Sequence, residues 1–185
     1  MKVRETEIPD VLILEPARFG DERGFFSESW NAQRMADAGL AYDFVQDNHS
    51  MSTEVGTLRG LHFQAPPFAQ AKLVRCGRGV LFDVVVDVRK GSPAYGKWFG
   101  IKLSFENGLQ LMVPGGCLHG FVTRAPDTEI IYKVTAPYDK ASDGAVRWDS
   151  CGIDWGLTST PKLSEKDDAA QTLAEFDSPF EWTLK

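Results

Sequence analysis

Cysteine and histidine are both scarce, with three of each in 185 residues. Cys76, Cys117 and Cys151 are odd in number, widely spaced and never arranged C-x-x-C, which argues against a disulfide framework and a zinc knuckle. Each reads as a small packing residue. No apolar run approaches bilayer length, and the start, MKVRETEIPDVLIL, has no long apolar region followed by small residues. A membrane partner and secretion are therefore not expected, and a reducing cytoplasm suits the thiols. A net charge of −6 argues against duplex nucleic acid as a partner, because that ligand rewards a broad basic surface. Internal repeats and low-complexity tracts are missing as well, which sets aside solenoids and fibres.

One further absence is local. Between Glu54 and Asp83 there is no acidic residue, where about four would be expected at the chain's average content. The same window carries Arg59, His62, Lys72, Arg75 and Arg78. A local positive potential able to attract an anion thus surrounds one imidazole able to take or give a proton near neutral pH. A solvated basic face with a single structural histidine is the other reading of the same window.

What is present reads as one globular domain spanning 1–185. Hydrophobic residues make up 43% and charged residues 25%, while 17 glycines and 10 prolines are scattered rather than clustered. Short runs rich in Val, Ile, Phe, Tyr and Trp recur between Gly, Pro, Asn and Asp, the pattern of an antiparallel sandwich or barrel. Strands are expected at 24–30, 44–50, 57–64, 70–76, 80–88, 98–104, 109–113, 119–123 and 129–135. That number and even spacing predict an all-β jelly roll rather than alternating α/β units. Two segments look helical, 31–40 with an Asn cap and about 164–176, and both are expected to lie outside the barrel. The tail from 177 to 185 is apolar enough to dock. In 80–88 the even positions are all apolar, while Leu81, Asp83, Val85 and Asp87 alternate on the other face, as in a wall between a core and a cavity. A solvated face is favoured for Asp87.

Within Arg59-Gly60-Leu61-His62-Phe63-Gln64, strict alternation sends Arg59 and His62 to opposite faces. A bulge at Gly60 would bring them together. A metal-binding jelly roll would call for His-x-His, a nearby Glu and a later His. The chain offers His62-x-Gln64, no carboxylate before Asp83, and Lys72, a cation unsuited to holding a divalent metal, so no metal is expected. Tyr132 shares its pleat with Ile130 and Val134 and points inward, either as core or as a proton donor facing a histidine. His119, after the Pro114-Gly115-Gly116 turn, reads as structural or functional, with Asp83 as a candidate partner. Ser164-x-x-Asp167 resembles a helix N-terminal cap.

Taken in order, FGDERGFFSES (19–29), FVQDNHS (44–50), LRGLHFQ (58–64), AKLVRC (71–76), FDVVVDVRKGSP (82–93), PGGCLHGF (114–121), YKVT (132–135) and LSEKD (163–167) resemble the dTDP-4-dehydrorhamnose 3,5-epimerase family over nearly the whole chain. The resemblance implies a cupin-type jelly roll needing no cofactor, a homodimer that exchanges N-terminal strands, and a dTDP-4-dehydro-6-deoxyhexose substrate. It makes His62 the base, Asp167 its orienting partner, Lys72 the cation beside the C4 oxygen and Tyr132 the acid, with His119 and Asp83 as a supporting pair. Arg23 and Arg59 fall at diphosphate positions. Glu28, Gln46 and Asn48 fall at thymidine positions with Phe19 and Phe26 beside them, and Lys166 and Tyr138 fall at further substrate contacts. Two departures stand out, Phe63 where Tyr is common and Asp143 where Glu is common. Relatives that invert only C3 or only C5, and a jelly roll that binds a nucleotide sugar without turning it over, are the alternatives.

Overall fold

Period-two alternation of apolar residues dominates the chain, and strands follow from it. The computed structural model describes residues 1–183. In order, it comprises β1 (Lys2–Glu5), β2 (Leu12–Glu15), β3 (Arg18–Asp21), β4 (Gly24–Ser27), α1 (Ala32–Asp37), β5 (Gln46–Ser52), β6 (Leu58–Gln64) and β7 (Lys72–Arg78). There follow β8 (Val80–Asp87), β9 (Trp98–Ser104), β10 (Gln110–Val113), β11 (Cys117–Thr123), β12 (Thr128–Val134), β13 (Asp143–Ala145) and α2 (Glu165–Asp168). One sheet has the order β1-β2-β10-β7-β12-β5 and the other β13-β6-β11-β8-β9, while β3 and β4 form a separate hairpin. The two larger sheets stack as a jelly roll.

Three apolar layers hold this arrangement. Between the sheets lie Val74, Leu81, Val85, Leu103, Leu111, Phe121 and Ile130, all buried. On the outer face of the five-stranded sheet, Leu58, Leu61, Val84, Val86 and Val122 meet Trp155, Phe176 and Phe180 from the C-terminal segment. Against the six-stranded sheet, Met35 of α1 and Leu40 pack on Leu14, Leu73 and Met112. β8 is therefore buried on both faces, as its composition predicts. Asp87 is the exception to expectation. It is fully buried rather than solvated, because Arg89 grips it with Nε and Nη2 at 2.9 and 2.7 Å and Ser92 donates to it at 2.6 Å.

Most expected strands are present to within two or three residues. The helix expected at 31–40 is α1, capped by the Asn31 side chain, which accepts from Arg34 N. The helix expected at 164–176 is corrected to the single turn of α2. Beyond it Gln171 bridges to Val146, and 172–176 form a separate turn in which the Glu175 carboxylate ties back to Thr172. Leu173 and Phe176, spaced as on a helix, instead dock against the five-stranded sheet, where Phe176 meets Phe63 at 5.0 Å between ring centroids. Burial there outweighs a weak local helix preference. The tail docks through Ser178 and Phe180. Its last two residues, 184 and 185, lie outside the described residues.

Candidate active site

The sandwich interior is not filled evenly. One end opens into a cavity, and the local structure of β6 explains how its functional side chains reach it. Pairing with β11 sets His62 opposite His119 and Arg59 opposite Phe121, so β6 spends one more residue than its partner on that interval. This is a bulge at Gly60 and Leu61, and it turns Arg59 to the same side as His62. Only glycine fits there. Gly60 has φ +128°, and a Cβ on it would lie 2.6 Å from Gly120 Cα and 2.9 Å from His119 O.

Three lobes of about 170, 280 and 360 Å³ share His62 on their walls. The first is lined by Arg59, Lys72, His119, Phe121, Ile130 and Tyr132 together with Ser50. The second runs outward past Gln46, Asn48, Gln64, Tyr132 and Tyr138 to Asp143 and Lys166. The third, a groove over β6, joins Arg59 to Lys162, Ser164, Lys166 and Asp167. His62, Arg59 and His119 come from the five-stranded sheet, whereas Lys72, Tyr132, Asn48 and Gln46 come from the six-stranded one. The histidine and the tyrosine thus face the cavity from opposite walls.

Two His–Asp pairs stand side by side. His62 Nε2 lies 2.5 Å from Asp167 Oδ1, which leaves Nδ1 as the ring nitrogen without a partner among the described residues. Asp167 is delivered by α2. Ser164 caps that turn by accepting from Asp167 N at 3.1 Å, so the segment is both the cap read from the sequence and the carrier of the carboxylate. Burial pushes the Asp167 carboxyl up, but the hydrogen bond and charge of His62, the Ser164 hydroxyl and the Gly60 amide together hold it below the usual range. On the neighbouring strand, His119 Nε2 lies 2.9 Å from Asp83 Oδ1, both residues being buried. Asp83 Oδ2 has no hydrogen-bond partner among the described residues.

Burial lowers the Lys72 ammonium to about 8, with the Asp83 and Asp143 charges opposing that fall and Lys166 adding to it. Burial raises the Tyr132 phenol, an effect that Arg59 offsets and Asp143 reinforces, so the ring is a neutral proton donor at neutral pH. Among the described residues, no three His, Cys, Asp or Glu side chains converge as a metal site. No helix among them is long and apolar enough to cross a membrane.

The structure therefore gathers His62, Lys72, Tyr132, Asp167, Arg59, His119, Gln46, Asn48, Tyr138, Asp143 and Lys166 around one cavity, with Asp83 behind His119. It does not bring Phe19, Arg23, Phe26 or Glu28 to that cavity within one chain. Phe19 and Phe26, on the β3–β4 hairpin, are 64% and 68% exposed, Arg23 pairs with Asp21, and Glu28 pairs with Arg34. Gln64 and Gln70 line the cavity in addition to the residues expected from the sequence. Gln64 was open to detection, since it lies two residues from His62 on the same pleat.

Comparison with known proteins gives a consistent result. The chain matches the family model described as dTDP-4-dehydrorhamnose 3,5-epimerase over residues 5–175. It is 51% identical over 188 residues to the dTDP-4-dehydrorhamnose 3,5-epimerase of Sinorhizobium fredii, covering 98% of this chain and 94% of that one. The crystal structure of the Bacillus anthracis enzyme with TDP and PPi bound aligns with a TM-score of 0.90 at 47% identity, covering 93% of this chain and 99% of that one. A Legionella pneumophila dTDP-6-deoxy-D-glucose-3,5-epimerase in complex with dTDP-4-keto-L-rhamnose aligns with a TM-score of 0.94 at 40% identity, covering 99% of both chains.

Proposed function

Since the chain belongs to the dTDP-4-dehydrorhamnose 3,5-epimerase family and is an enzyme of the isomerase class, we propose that it inverts C3 and C5 of dTDP-4-dehydro-6-deoxy-D-glucose to give dTDP-4-dehydro-L-rhamnose. The observation that carries this reading is the placement of His62 and Tyr132 on facing sheets around one cavity. Inversion at carbon needs a base on one face and an acid on the other, whereas binding alone needs neither.

The C4 keto group acidifies the hydrogens on C3 and C5. His62, its Nε2 held by Asp167, takes a proton through the free nitrogen, and the imidazolium that forms is stabilised by the carboxylate as in hydrolytic triads. The electron pair of the broken C–H bond moves onto the C4 oxygen as an enolate, which the Lys72 ammonium stabilises from a desolvated position. Tyr132 then protonates the opposite face of the carbon and is left as phenolate beside Arg59. One proton has passed from carbon to His62 and another from Tyr132 to carbon, so the pair must be reset before the second centre is inverted. No cofactor enters this scheme.

Arg59 serves the diphosphate, two of whose oxygens a planar guanidinium fork can engage at once. Gln46 and Asn48 serve the thymidine portion. Phe19, Arg23, Phe26 and Glu28 reach a cavity only across a homodimer, in which the exposed β3–β4 hairpin of one protomer covers the site of the other. The whole chain acts as one cupin-type catalytic domain, working in the cytoplasm. Incubation with the 4-keto substrate in D₂O, followed by NMR, tests the reading. Deuterium at both C3 and C5 supports it, deuterium at one carbon alone makes the protein a mono-epimerase, and bound substrate with no label at either carbon refutes it.

A further inference from the structure

Residues 135–142 connect β12, which carries Tyr132, to β13, which carries Asp143, and they cross the mouth of the cavity without regular structure. Their backbone polar groups are not left to solvent. Gln70 Nε2 donates to Ala136 O at 2.7 Å, Gln64 Nε2 donates to Pro137 O at 3.1 Å, Gln46 Oε1 accepts from Tyr138 N at 3.0 Å, and Gln64 Oε1 accepts from Asp139 N at 2.8 Å. Three glutamines from outside the loop thus hold four successive residues.

Gln64 is the centre of this clamp. A primary amide offers two donor hydrogens and an acceptor oxygen. Gln64 spends the second hydrogen on Phe68 O at 2.8 Å, so both amide hydrogens are engaged by backbone, and the residue is only 5% exposed. It has no donor left to offer a ligand. What it does instead is fix the peptide groups on both sides of Tyr138, and with them the direction of that residue's Cα–Cβ bond. Tyr138 lines the same lobe as His62, Lys72 and Tyr132, and its hydroxyl lies 3.3 Å from Asp143 Oδ2, an atom also held by Lys166 Nζ at 2.5 Å.

We propose that Gln64, assisted by Gln70, is a positioning residue that sets Tyr138 against the sugar and thereby the relative rates of inversion at C3 and C5. The inference rests on the epimerase reading. C3 and C5 flank C4, so one base and one acid act on both only if the ring is presented in two positions, and the wall of the lobe selects between them. Displacement of a positioning group by about 1 Å is enough to change rates on the order of a hundredfold.

Gln64→Leu removes all three hydrogen bonds, Gln64→Glu keeps the acceptor but loses both donors, and Gln70→Leu removes the Ala136 contact alone. With the 4-keto substrate in D₂O, the C3:C5 deuterium ratio should shift about threefold or more in the Gln64 variants and in the same direction, by less, in Gln70→Leu. The loss in kcat/KM should fall on kcat. In a Tyr138→Ala background, where no ring remains to be positioned, adding Gln64→Leu should leave the ratio unchanged. Should the wild type label one carbon alone, the shift is read as label appearing at the other. An unaltered ratio in a Gln64 variant with a cooperative melt overturns the proposal, as does a shift of the same size in the Tyr138→Ala background. If neither Gln64 variant folds, an unaltered ratio in Gln70→Leu overturns it. A wild type that binds substrate and labels neither carbon sinks the epimerase reading instead, so the two failures are distinguishable.

Discussion

Lys72→Met should separate stability from activity along the pH axis. Lys72 is 9% exposed, and desolvation brings its ammonium from 10.5 to about 8. That gap of roughly 2.5 pH units, at about 1.4 kcal/mol per unit, corresponds to about 3.5 kcal/mol of differential cost for keeping the cation in the folded state, of which about 3 kcal/mol is recovered by pH 10.5, where the unfolded lysine is half titrated. Below pH 8 the lysine is protonated in both folded and unfolded chains, and the folded state bears the whole cost. Between pH 8 and 10.5 the folded chain has released the proton while the unfolded chain still holds it. The unfolded state then binds more protons, so this group makes unfolding free energy rise with pH across that window. Methionine has nothing to titrate.

The stability difference between Lys72→Met and wild type should therefore change by about 3 kcal/mol in favour of wild type on going from pH 7 to 10.5. For a chain of this size that amounts to a relative shift in Tm of about 6–12 °C. Groups titrating in both proteins, such as Cys76 with its thiol raised to about 11 by burial, cancel in the comparison. Activity should move the other way. The enolate needs the cation, so wild-type kcat/KM should fall about tenfold per pH unit above pH 8, and the variant should lose on the order of 10²–10³ in kcat at pH 7. Urea denaturation at a series of pH values, run beside turnover assays, measures both. A stability difference that stays constant from pH 7 to 10.5, or a wild-type kcat/KM that is flat through pH 8, refutes the reasoning.

Asp167→Asn preserves the shape of the dyad but removes the charge that stabilises the imidazolium. Turnover should drop on the order of 10²–10⁴ while affinity for TDP, measured by calorimetry, changes little. A variant retaining near-normal kcat would remove Asp167 from the mechanism. Gly60→Ala should destabilise the protein by about 2–4 kcal/mol in urea unfolding, because the new methyl would meet Gly120 Cα at 2.6 Å on a backbone with φ +128°. A change below about 1 kcal/mol would mean that the β6–β11 contact yields more readily than the bulge geometry implies.

The parts of this molecule legible in the sequence are those decided by near neighbours. The alternation from Val80 to Val88 needs no distant partner to announce a strand buried on both faces, and Gly60 within a strand pattern signals the bulge that aims Arg59 and His62 together. Asp87 departs from the local pattern for the opposite reason. Its partner Arg89 lies only two residues on, but Arg89 is itself anchored on Asp10 and Pro9 O, 79 and 80 positions away, and a local reading does not see those anchors. The helix expected at 164–176 fails similarly, since the docking surface for Leu173 and Phe176 belongs to strands from earlier in the chain. At the site, Asp167 and His62 are 105 positions apart, and spacing alone reads Asp167 only as a cap. The family motifs, not periodicity, joined the two.

The β3–β4 hairpin carries the argument past the single chain. A two-stranded hairpin is marginally stable in water, and this one sets Phe19 and Phe26 outward at 64% and 68% exposure. Such a surface is costly unless it is covered, and neither ring lines the cavity around His62, whose own aromatic side chains are Phe63, Phe121, Tyr132 and Tyr138. Within one protomer, the hairpin's aromatic surface and Arg23 therefore stand apart from the cavity. In the homodimer proposed above, exchange of the hairpin across a two-fold axis covers this surface and repeats the same contact in reverse, which gives two equivalent sites.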